Sequence, residues 1–537
     1  MLASSALLAA CQGCRSTPGA ENASATAADT GNTAGPTVRL YVTSDLAGAL
    51  EPCGCTKDQL GGLDHAAAWM RSEKAHAPNA ALVTAGPLFF MDATLKPDHR
   101  DQDITKAETI AASLKSLGFA AFAPGANEWA AGDAELAKLQ AASGGAMLLA
   151  NGASGAPGTD PGWVVRTIGG VKVGFLGVSG GGAAAATSMA TPFPVTTSPP
   201  AEAITRGVEA LKKQGVSIFV ALAAVGRGEA KRLADRVPTL TAILVGSPGG
   251  SGDQNSPASP PERIGAVLVL ETGNHLTNVG ALDLVVRNGS FSFADGTGLE
   301  LGQKREELRR HIDDLRGRIA QWDGDPAVKK EDLDARRAEV TKLEGELAAL
   351  DVHPAPPSGS YFRYALQDIR TSLGTDDEVK KAAIAYYKQI NDKNKVAFAD
   401  RVAPKPGPGE PGYVGVDACT KCHKEAREVW DGTRHATAYK TLADEDKQFN
   451  LDCVSCHVTG YERPGGSTVV HVQKLENVGC EVCHGPGSKH SADPKHVKIP
   501  VEKPKGDSCL ACHHPPHVEG FDAEAKMAGI LGPGHGL

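Results

Sequence analysis

The feature that most constrains this sequence is a pentapeptide, Cys-x-x-Cys-His, that occurs four times near the C-terminus. The four copies are Cys419–His423, Cys453–His457, Cys480–His484 and Cys509–His513. In a chain with 12 Cys and 17 His, chance would produce such a pentapeptide about 0.01 times. The repeats therefore indicate one chemical task that is performed four times.

Each copy has the residues that attach one c-type haem. Two thiols bond the vinyl-derived carbons of one porphyrin, and the adjacent imidazole binds the iron as the proximal ligand. The predicted attachment residues are Cys419, Cys422, Cys453, Cys456, Cys480, Cys483, Cys509 and Cys512. The predicted proximal ligands are His423, His457, His484 and His513. The sequence thus predicts four covalently bound haems.

Two other kinds of site also use paired cysteines, namely structural zinc sites and, in an exported chain, disulfides. Neither explains why a histidine follows every pair. Residues 413–537 contain eleven histidines, which suits haem irons because each takes a second axial ligand. Met527 is the only methionine in this range, so the expected haems are mostly bis-His and of low potential.

The motifs and their surroundings resemble the periplasmic multihaem cytochromes related to the tetrahaem cytochrome of ammonia oxidisers. The likeness extends over residues 413–537 and is most specific at Thr433–Ala436, Cys453–Tyr461 and Gly479–His490. It implies a mainly helical and loop-rich tetrahaem cytochrome c domain.

The same resemblance implies the distal haem ligands. It points to His435, His490 and His535. A fourth distal ligand would come from His471, His496 or His517. Alternatively, one iron stays open to a small inorganic ligand, which is what the resemblance favours.

Residues 37–299 show short, β-rich apolar runs that alternate with Ala-rich helical patterns. This alternation predicts an α/β layered domain. The predicted strands are residues 38–43, 81–85, 171–178, 217–223, 242–245, 266–270 and 281–286.

This region resembles the periplasmic 5′-nucleotidase type of metallophosphoesterase at Asp45–Gly48, Gly61–Leu63, Gly125–Glu128 and Val173–Gly177. That family binds two metal ions through carboxylates and several imidazoles. Here Asp45 alone remains. The positions where the other ligands or their partners would stand are Ala47, Pro87, Ala126, Asn127, Ala224, Ser247 and Gly249. The resemblance therefore implies a scaffold that has lost phosphoesterase activity.

A Cys-x-Cys pair, Cys53 and Cys55, follows the first of these segments. Such a pair can act as redox thiols, bind a soft metal or form a disulfide. It resembles a group of exported nucleotidase-like proteins that carry Cys or selenocysteine at this place. We treat the pair as a redox candidate, with an inert disulfide as the alternative.

Three segments connect the α/β region to the haem motifs. Residues 300–352 contain two heptad stripes, which predict an antiparallel helical hairpin that serves as a spacer or a dimer contact. Residues 353–403 predict a strand and a helix that act as a connector. Residues 404–412 predict a Pro/Gly linker, because prolines interrupt both helix and sheet.

The N-terminus carries an apolar run that ends in small residues. Residues 1–11 are typical of a signal peptide with a lipobox, in which Cys11 would be acylated. The lipid would anchor the protein on the periplasmic side of a bacterial membrane, and we expect this to be the outer membrane. Residues 12–36 lack an apolar period and predict a flexible tether. The alternative is the frayed N-terminus of a cytosolic protein, which covalent haem attachment disfavours.

Composition excludes two classes of partner. The net charge is -8 and no stripe of Lys and Arg alternates with aromatic residues, so nucleic acid is not an expected partner. No apolar run is long enough to span a bilayer, so the expected membrane contact is the lipid anchor.

These features predict an electron carrier that uses four c-type haems and exchanges electrons with redox partner proteins. A rival hypothesis is an oxidoreductase that acts on a small inorganic nitrogen or sulfur species at an open haem or at the Cys-x-Cys pair. A third hypothesis, an active phosphoesterase, conflicts with the missing metal ligands.

Overall fold

The computed structural model of this chain describes residues 36–52, 59–180, 193–250, 252–322, 329–351, 355–515, 517–518 and 521–535. The predicted signal peptide with Cys11, most of the predicted tether, and the pair Cys53 and Cys55 lie outside the described residues. The described chain forms a two-sheet α/β unit, followed by a region of short helices and loops.

The strands of the α/β unit form two mixed sheets. They are β1 (Val38–Ser44), β2 (Ala80–Gly86), β3 (Phe119–Pro124), β4 (Ala146–Met147), β5 (Trp163–Ile168), β6 (Val171–Ser179), β7 (Ile218–Ala224), β8 (Ala242–Gly246), β9 (Ser259–Ile264), β10 (Val267–Glu271), β11 (Asn278–Val285), β12 (Phe293–Asp295) and β13 (Ser360–Asp368). The first sheet has the order β12-β13-β11-β1-β2-β3-β4, and the second has the order β5-β6-β7-β8-β10-β9. Pairing is parallel from β1 to β4 and from β6 through β8 to β10.

Helices cover the outer faces of both sheets. The longer helices are α1 (Leu63–Ser72), α2 (Arg100–Ser116), α3 (Asp133–Ser143), α4 (Pro200–Lys212), α5 (Arg227–Arg236), α6 (Gly302–Trp322), α7 (Lys330–Asp351) and α8 (Asp377–Ala397). α1, α2, α3 and α8 pack on the first sheet, and α4 and α5 pack on the second. Apolar side chains of the two sheets meet between them. The unit is therefore a four-layer α/β/β/α sandwich.

The predicted α/β layered fold is confirmed. Every predicted strand is present, and its ends lie within a few residues of the predicted ends. Strands that are covered on both faces are near-continuous apolar runs, because no face is left for polar side chains. In β7 all seven residues are buried. These buried strands are the ones that the apolar runs identify most clearly.

The predicted helical hairpin is formed by α6 and α7, which run antiparallel. Arg305 near the start of α6 donates to the Leu350 carbonyl near the end of α7 at 2.7 Å. Further along, Arg316 pairs with Glu344 at 2.7 Å. The apolar stripes meet in a small core of Ile312, Leu315 and Val340. The residues that connect the two helices, 323–328, lie outside the described residues.

The strand and the helix expected in residues 353–403 are built into the α/β unit. β13 pairs with β11 along its whole length and also with β12. α8 begins after Asp376, whose side chain accepts the N–H of Val379 at 3.1 Å, and it buries Tyr386 against the first sheet. The helical hairpin is therefore an insertion between two neighbouring strands, β12 and β13.

The C-terminal region consists of short helices joined by loops, as predicted. The helices are α9 (Val416–Thr420), α10 (Lys424–Asp431), α11 (Ala438–Ala443), α12 (Val454–His457), α13 (Cys480–His484), α14 (Ser488–Ala492) and α15 (Ala523–Met527). The buried apolar side chains are Leu442, Leu451, Val454, Val458, Val469, Val472 and Leu475. The described residues after Leu475 add none. Apolar side chains alone therefore supply little core here.

The Pro/Gly segment 404–412 packs along the C-terminal region. The N–H of Gly412 donates to the Ser488 hydroxyl at 2.8 Å, and the N–H of Gly465 donates to the Pro404 carbonyl at 2.7 Å. Among the described helices, none has the length and apolar composition needed to cross a membrane.

A buried amide network joins the α/β unit to the C-terminal region. The side-chain oxygen of Gln102 on α2 accepts the N–H of Leu451 at 3.0 Å and the amide of Asn394 on α8 at 3.1 Å. Asn394 also donates to the Phe449 carbonyl at 2.9 Å. Gln102 is 1% exposed, so water cannot replace its oxygen as an acceptor.

We expect Gln102→Leu to lower the free energy of unfolding of the haem-loaded chain by about 1–3 kcal/mol, because the buried N–H of Leu451 loses its acceptor. Denaturant unfolding followed by circular dichroism measures the change. Gln214→Leu, at an exposed position after α4, is the matched control and should change stability by less than about 0.5 kcal/mol. Equal effects of the two substitutions would contradict the role of Gln102.

Candidate haem-binding region

Each pair of motif cysteines lies on a single turn of chain. In the first motif the N–H groups of Cys422 and His423 donate to the Cys419 carbonyl at 3.2 and 3.0 Å, and the turn at Cys509 has the same bonds at 3.1 and 2.9 Å. Side chains three residues apart on such a turn lie on one face, so both thiols can reach the same porphyrin edge. Among the described residues, the motif cysteines form no disulfide with one another.

Backbone carbonyls orient two of the predicted proximal imidazoles. The Nδ1 of His457 donates to the Ala438 carbonyl at 2.6 Å, and the Nδ1 of His484 donates to the Val501 carbonyl at 2.8 Å. Because a carbonyl only accepts, Nδ1 carries the hydrogen and Nε2 keeps its lone pair. This is the tautomer that binds a metal through Nε2.

Two of the predicted distal ligands face a proximal imidazole. The ring centroids of His423 and His490 are 6.3 Å apart with 28° between the planes, and those of His435 and His513 are 6.3 Å apart with 42°. A metal binds an imidazole nitrogen at about 2 Å, so two imidazoles on opposite sides of one iron have centroids about 6 Å apart. Both pairs have the spacing that a haem iron between them requires.

The third predicted distal ligand, His535, lies at the C-terminal end of the described chain. The preceding glycine, Gly534, approaches α10 so closely that a Cβ would lie 2.5 Å from the Ala426 nitrogen. Burial lowers the pKa of His535, and the neighbouring imidazoles of His484 and His423 add to the effect. His535 therefore lies near His484 and His423, the predicted proximal ligands of the third and first motifs.

The motifs lie near one another at their thiols. The thiols of Cys419 and Cys480 are close enough to shift each other's pKa, and so are those of Cys456 and Cys512. The first motif is therefore beside the third, and the second is beside the fourth. Porphyrins attached at these thiols would lie next to each other in two pairs.

Glu481, inside the third motif, organises the chain around it. Its carboxylate accepts the N–H groups of Val414 at 3.1 Å, Gly415 at 2.8 Å and Gly487 at 2.7 Å. The side chain is buried, with 3% exposure for the residue. Glu481 was not among the predicted site residues, although an acidic residue between two haem-binding cysteines is a signal that could have identified it.

The second motif lies against the α/β unit through two ion pairs. Asp452, next to Cys453, pairs with Lys106 of α2 at 3.0 Å, and Lys447 pairs with Glu51 at 2.7 Å. Burial alone would lower the pKa of Lys106, but attraction to Asp452 outweighs it and raises that pKa well above its usual value. Lys106 therefore stays charged beside the second motif.

The one remaining ligand of the expected phosphoesterase metal site, Asp45, is held by the backbone. Its Oδ1 accepts the N–H of Ser247 at 2.9 Å. Gly86 leaves room for this arrangement, because a Cβ there would lie 1.7 Å from that oxygen. Burial raises the pKa of Asp45 to about 7, so the carboxyl is only partly charged at neutral pH.

The neighbouring positions Asn127 and Glu128 also bind backbone groups. The Asn127 amide donates to the Met91 carbonyl at 2.7 Å, and its oxygen accepts the N–H of Gly250 at 2.9 Å. Glu128 accepts the N–H of Leu88 at 2.6 Å, and burial raises its pKa to about 8. Over the described part of the chain, no group of three or more His, Cys, Asp or Glu is arranged to hold a metal ion.

We expect Glu481→Gln to lower the free energy of unfolding of the haem-loaded chain by about 1–3 kcal/mol, because one acceptor oxygen becomes an NH₂ donor that faces buried N–H groups. Thermal unfolding monitored at the Soret band measures the loss. Glu425→Gln on α10, where the side chain is exposed, is the control. An unchanged midpoint in Glu481→Gln would show that the carboxylate is dispensable.

Comparisons with known proteins fall into two groups that match the two parts of the chain. A model of the family "Cytochrome c554 and c-prime" matches residues 418–485, a range that includes the first three motifs. Cytochrome c-554 of Nitrosomonas europaea is 31% identical over 19% of this chain and 57% of its own length. The chain thus spans little more than half of that relative.

Solved structures that are similar to this chain include nucleotidases and other phosphoesterases. The 5′-nucleotidase precursor of Thermus thermophilus has a TM-score of 0.43 and 18% identity, over 69% of this chain and 61% of that one. The calcineurin-like phosphoesterase YfkN of Bacillus subtilis has a TM-score of 0.39 and 18% identity, over 47% of this chain and 86% of that one. The match to the cytochrome c554 family is confined to the C-terminal region, at residues 418–485.

Proposed function

We propose that this protein is an exported electron carrier, with four c-type haems on residues 413–537 that exchange electrons with redox partner proteins. One observation carries the proposal. The ring of His423 faces that of His490, and the ring of His435 faces that of His513, each at the centroid distance expected for two imidazoles bound to one iron. The match to the cytochrome c554 family supports covalent haem and a role in electron transfer. An iron with two imidazole ligands changes oxidation state without binding a substrate.

The proximity of the motifs supports an order for the haems along the electron path. The positions of the thiols pair the first haem with the third and the second with the fourth. Cys509 also contributes to the raised pKa of Cys483. The third and fourth motifs are therefore close to each other. The proposed path therefore runs from the first haem through the third and the fourth to the second.

The α/β unit acts in this proposal as a scaffold that holds the second haem and offers a docking surface. One ion pair and a buried amide network attach that haem motif to α2 and α8, and a second ion pair attaches it to Glu51. Asp45 and Asn127, which stand at two of the expected metal positions, and the neighbouring Glu128 bind backbone groups. The unit provides structure, and the chemistry is assigned to the haems.

The proposed location is the periplasmic side of a bacterial membrane. Attachment of haem to paired thiols suits an exported chain, and Cys11 would be the acylated residue that anchors it to the outer membrane. Mass spectrometry of the mature chain from its native membrane tests this, and an unmodified N-terminus would contradict it.

A second candidate function is an oxidoreductase in which a disulfide between Cys53 and Cys55 takes two electrons from the second haem and two protons from water. The resulting dithiol then reduces the S–S bond of a sulfur species by thiol–disulfide exchange, which restores the Cys53–Cys55 disulfide. One observation favours this function. Glu51, two residues before Cys53 in the sequence, forms an ion pair with Lys447, which lies six residues before Cys453 of the second motif. If this reading is right, Cys53→Ser with Cys55→Ser removes the activity and leaves the haem spectrum unchanged.

We expect four haems per full-length chain after expression with a c-type maturation system. The pyridine haemochrome assay against protein concentration gives the count. Replacing Cys480 and Cys483 with Ala should reduce it to three, because one porphyrin loses both thioether bonds. Replacing Cys53 and Cys55 with Ser is the control and should leave four. Two or fewer haems in the unmodified chain would disprove the proposal.

We expect no hydrolysis of nucleotides or phosphate esters above background with Mn²⁺, Zn²⁺ or Mg²⁺, because two-metal catalysis needs ligands that this unit lacks. Release of inorganic phosphate from nucleoside monophosphates measures the activity. Turnover that depends on metal and is abolished by Asp45→Ala would overturn this expectation.

A further inference from the structure

We propose that Glu481, which lies inside the third motif, is a positioning residue for the first haem and fixes the two imidazoles that would bind that iron. The inference rests on the proposed function above, in which His423 and His490 are the axial ligands of the first haem. It assigns to Glu481 a role outside its own motif. Ser488 supports the same arrangement through a second set of hydrogen bonds.

The two oxygens of the Glu481 carboxylate bind two different segments of the chain. Oε2 accepts the N–H of Gly415 at 2.8 Å, and Oε1 accepts the N–H of Gly487 at 2.7 Å. The N–H of Val414 donates to both oxygens at 3.1 Å. Glu481 is buried, so water cannot replace its carboxylate as the acceptor for these N–H groups. One side chain therefore ties the two segments to each other.

The first segment carries the proximal ligand of the first haem. α9 begins directly after Gly415, whose carbonyl accepts the N–H of Ala418 at 3.2 Å. The carbonyl of the next residue, Cys419, accepts the N–H of His423 at 3.0 Å. Only a short helix and one turn connect Gly415 to His423, so a displacement of Gly415 also displaces the imidazole of His423.

The second segment carries the distal ligand. α14 begins directly after Gly487, whose carbonyl accepts the N–H of Ser491 at 2.8 Å. His490 lies on this helix, and its Nδ1 donates to the Val497 carbonyl at 2.6 Å, which leaves Nε2 as the atom that can bind iron. A helix of five residues is not stable by itself. The position of His490 therefore depends on the contacts that hold α14 in place.

Ser488, the first residue of α14, ties the same two segments together a second time. Its hydroxyl accepts the N–H of Gly412 at 2.8 Å, and its own N–H donates to the Gly412 carbonyl at 3.0 Å. The segments are also closely packed, because a Cβ added to Gly487 would lie 3.7 Å from a methyl carbon of Val414.

The rings that these two segments carry face each other. The centroids of His423 and His490 are 6.3 Å apart, with 28° between the ring planes. A metal binds an imidazole nitrogen at about 2 Å, so moving either segment away from the other would lengthen one bond to an iron between the rings. Glu481 thus sets the distance at which the first iron has two ligands.

This arrangement links the first haem to the third. Cys480 and Cys483, the predicted attachment residues of the third haem, flank Glu481 in the sequence. Attachment of that haem would also fix the backbone that carries the carboxylate. The axial geometry of the first haem therefore depends on a residue that belongs to the attachment turn of the third.

The test compares Glu481→Asp with the unmodified full-length, haem-loaded protein, by electron paramagnetic resonance of the oxidised state and by titration with cyanide. Aspartate keeps the charge but is one methylene shorter, so it cannot hold both segments at their present separation. We expect Glu481→Asp to keep four haems, to change the signal of one iron in four and to add one cyanide site. Glu425→Asp, at an exposed position on α10, is the matched control and should change neither measurement.

His490→Gly identifies the affected iron, because it removes the distal ligand of the first haem. This variant should add one cyanide site, and added imidazole should fill it. Glu481→Asp combined with His490→Gly should add no further site, since both substitutions act on the same iron. Two additional cyanide sites in the double variant would show that Glu481 acts on another haem, and the proposal would be overturned.

A Glu481→Asp spectrum identical to that of the unmodified protein would also overturn the proposal. If Glu481→Asp does not mature, Ser488→Ala replaces it: loss of the hydroxyl should change the signal of the first haem, and Ser488→Thr should preserve it. An unchanged spectrum in Ser488→Ala would then contradict the proposal. The His490→Gly variant keeps the two proposals apart. If it has no effect, the proposed ligation of the first haem is wrong, whereas an effect in His490→Gly without one in Glu481→Asp contradicts the role of Glu481 alone.

Discussion

Covalent attachment of a porphyrin to two thiols on one turn of chain is the interaction on which the proposed cytochrome region depends. Ordering each residue costs about 1–2 kcal/mol of backbone entropy, and the few buried valines and leucines before Leu475 cannot offset this for the whole region. Haems would provide the missing apolar surface and connect distant segments through axial ligands. This explains why the region needs only short helices and loops: its backbone has to present thiols and imidazoles at the right places.

The same shortage of apolar side chains explains why the two parts of the chain are joined closely. Phe398, at the end of α8, packs with Leu451 and Val469 in one cluster, and Gln102 of α2 accepts the N–H of Leu451. The segment before the second motif therefore completes its core with side chains of the α/β unit. The change in composition near residue 413 marks a boundary in the sequence, whereas the packing continues across it.

The sequence predicted those features whose signal is local. Buried strands such as β7 are continuous apolar runs, and the spacing of Cys419, Cys422 and His423 predicts covalent haem attachment. It could not predict that β13 joins the first sheet, because strand pairing across an inserted hairpin depends on contacts far apart in the chain. The role of Glu481 was missed for a similar reason, since its partners Val414 and Gly487 come together only in the folded region.

If the facing histidines bind haem irons as proposed, they also set the order of assembly. His435 lies early in the cytochrome region and faces His513 near its end, whereas His490 faces the first motif. These pairings cross in the sequence, so they close large loops, and such contacts form late in folding. Haem attachment can follow the emerging chain motif by motif, but axial ligation has to wait for the last segment. The region would then become ordered in a single concerted step after export, and a chain that stops before His490 would carry irons with one imidazole each.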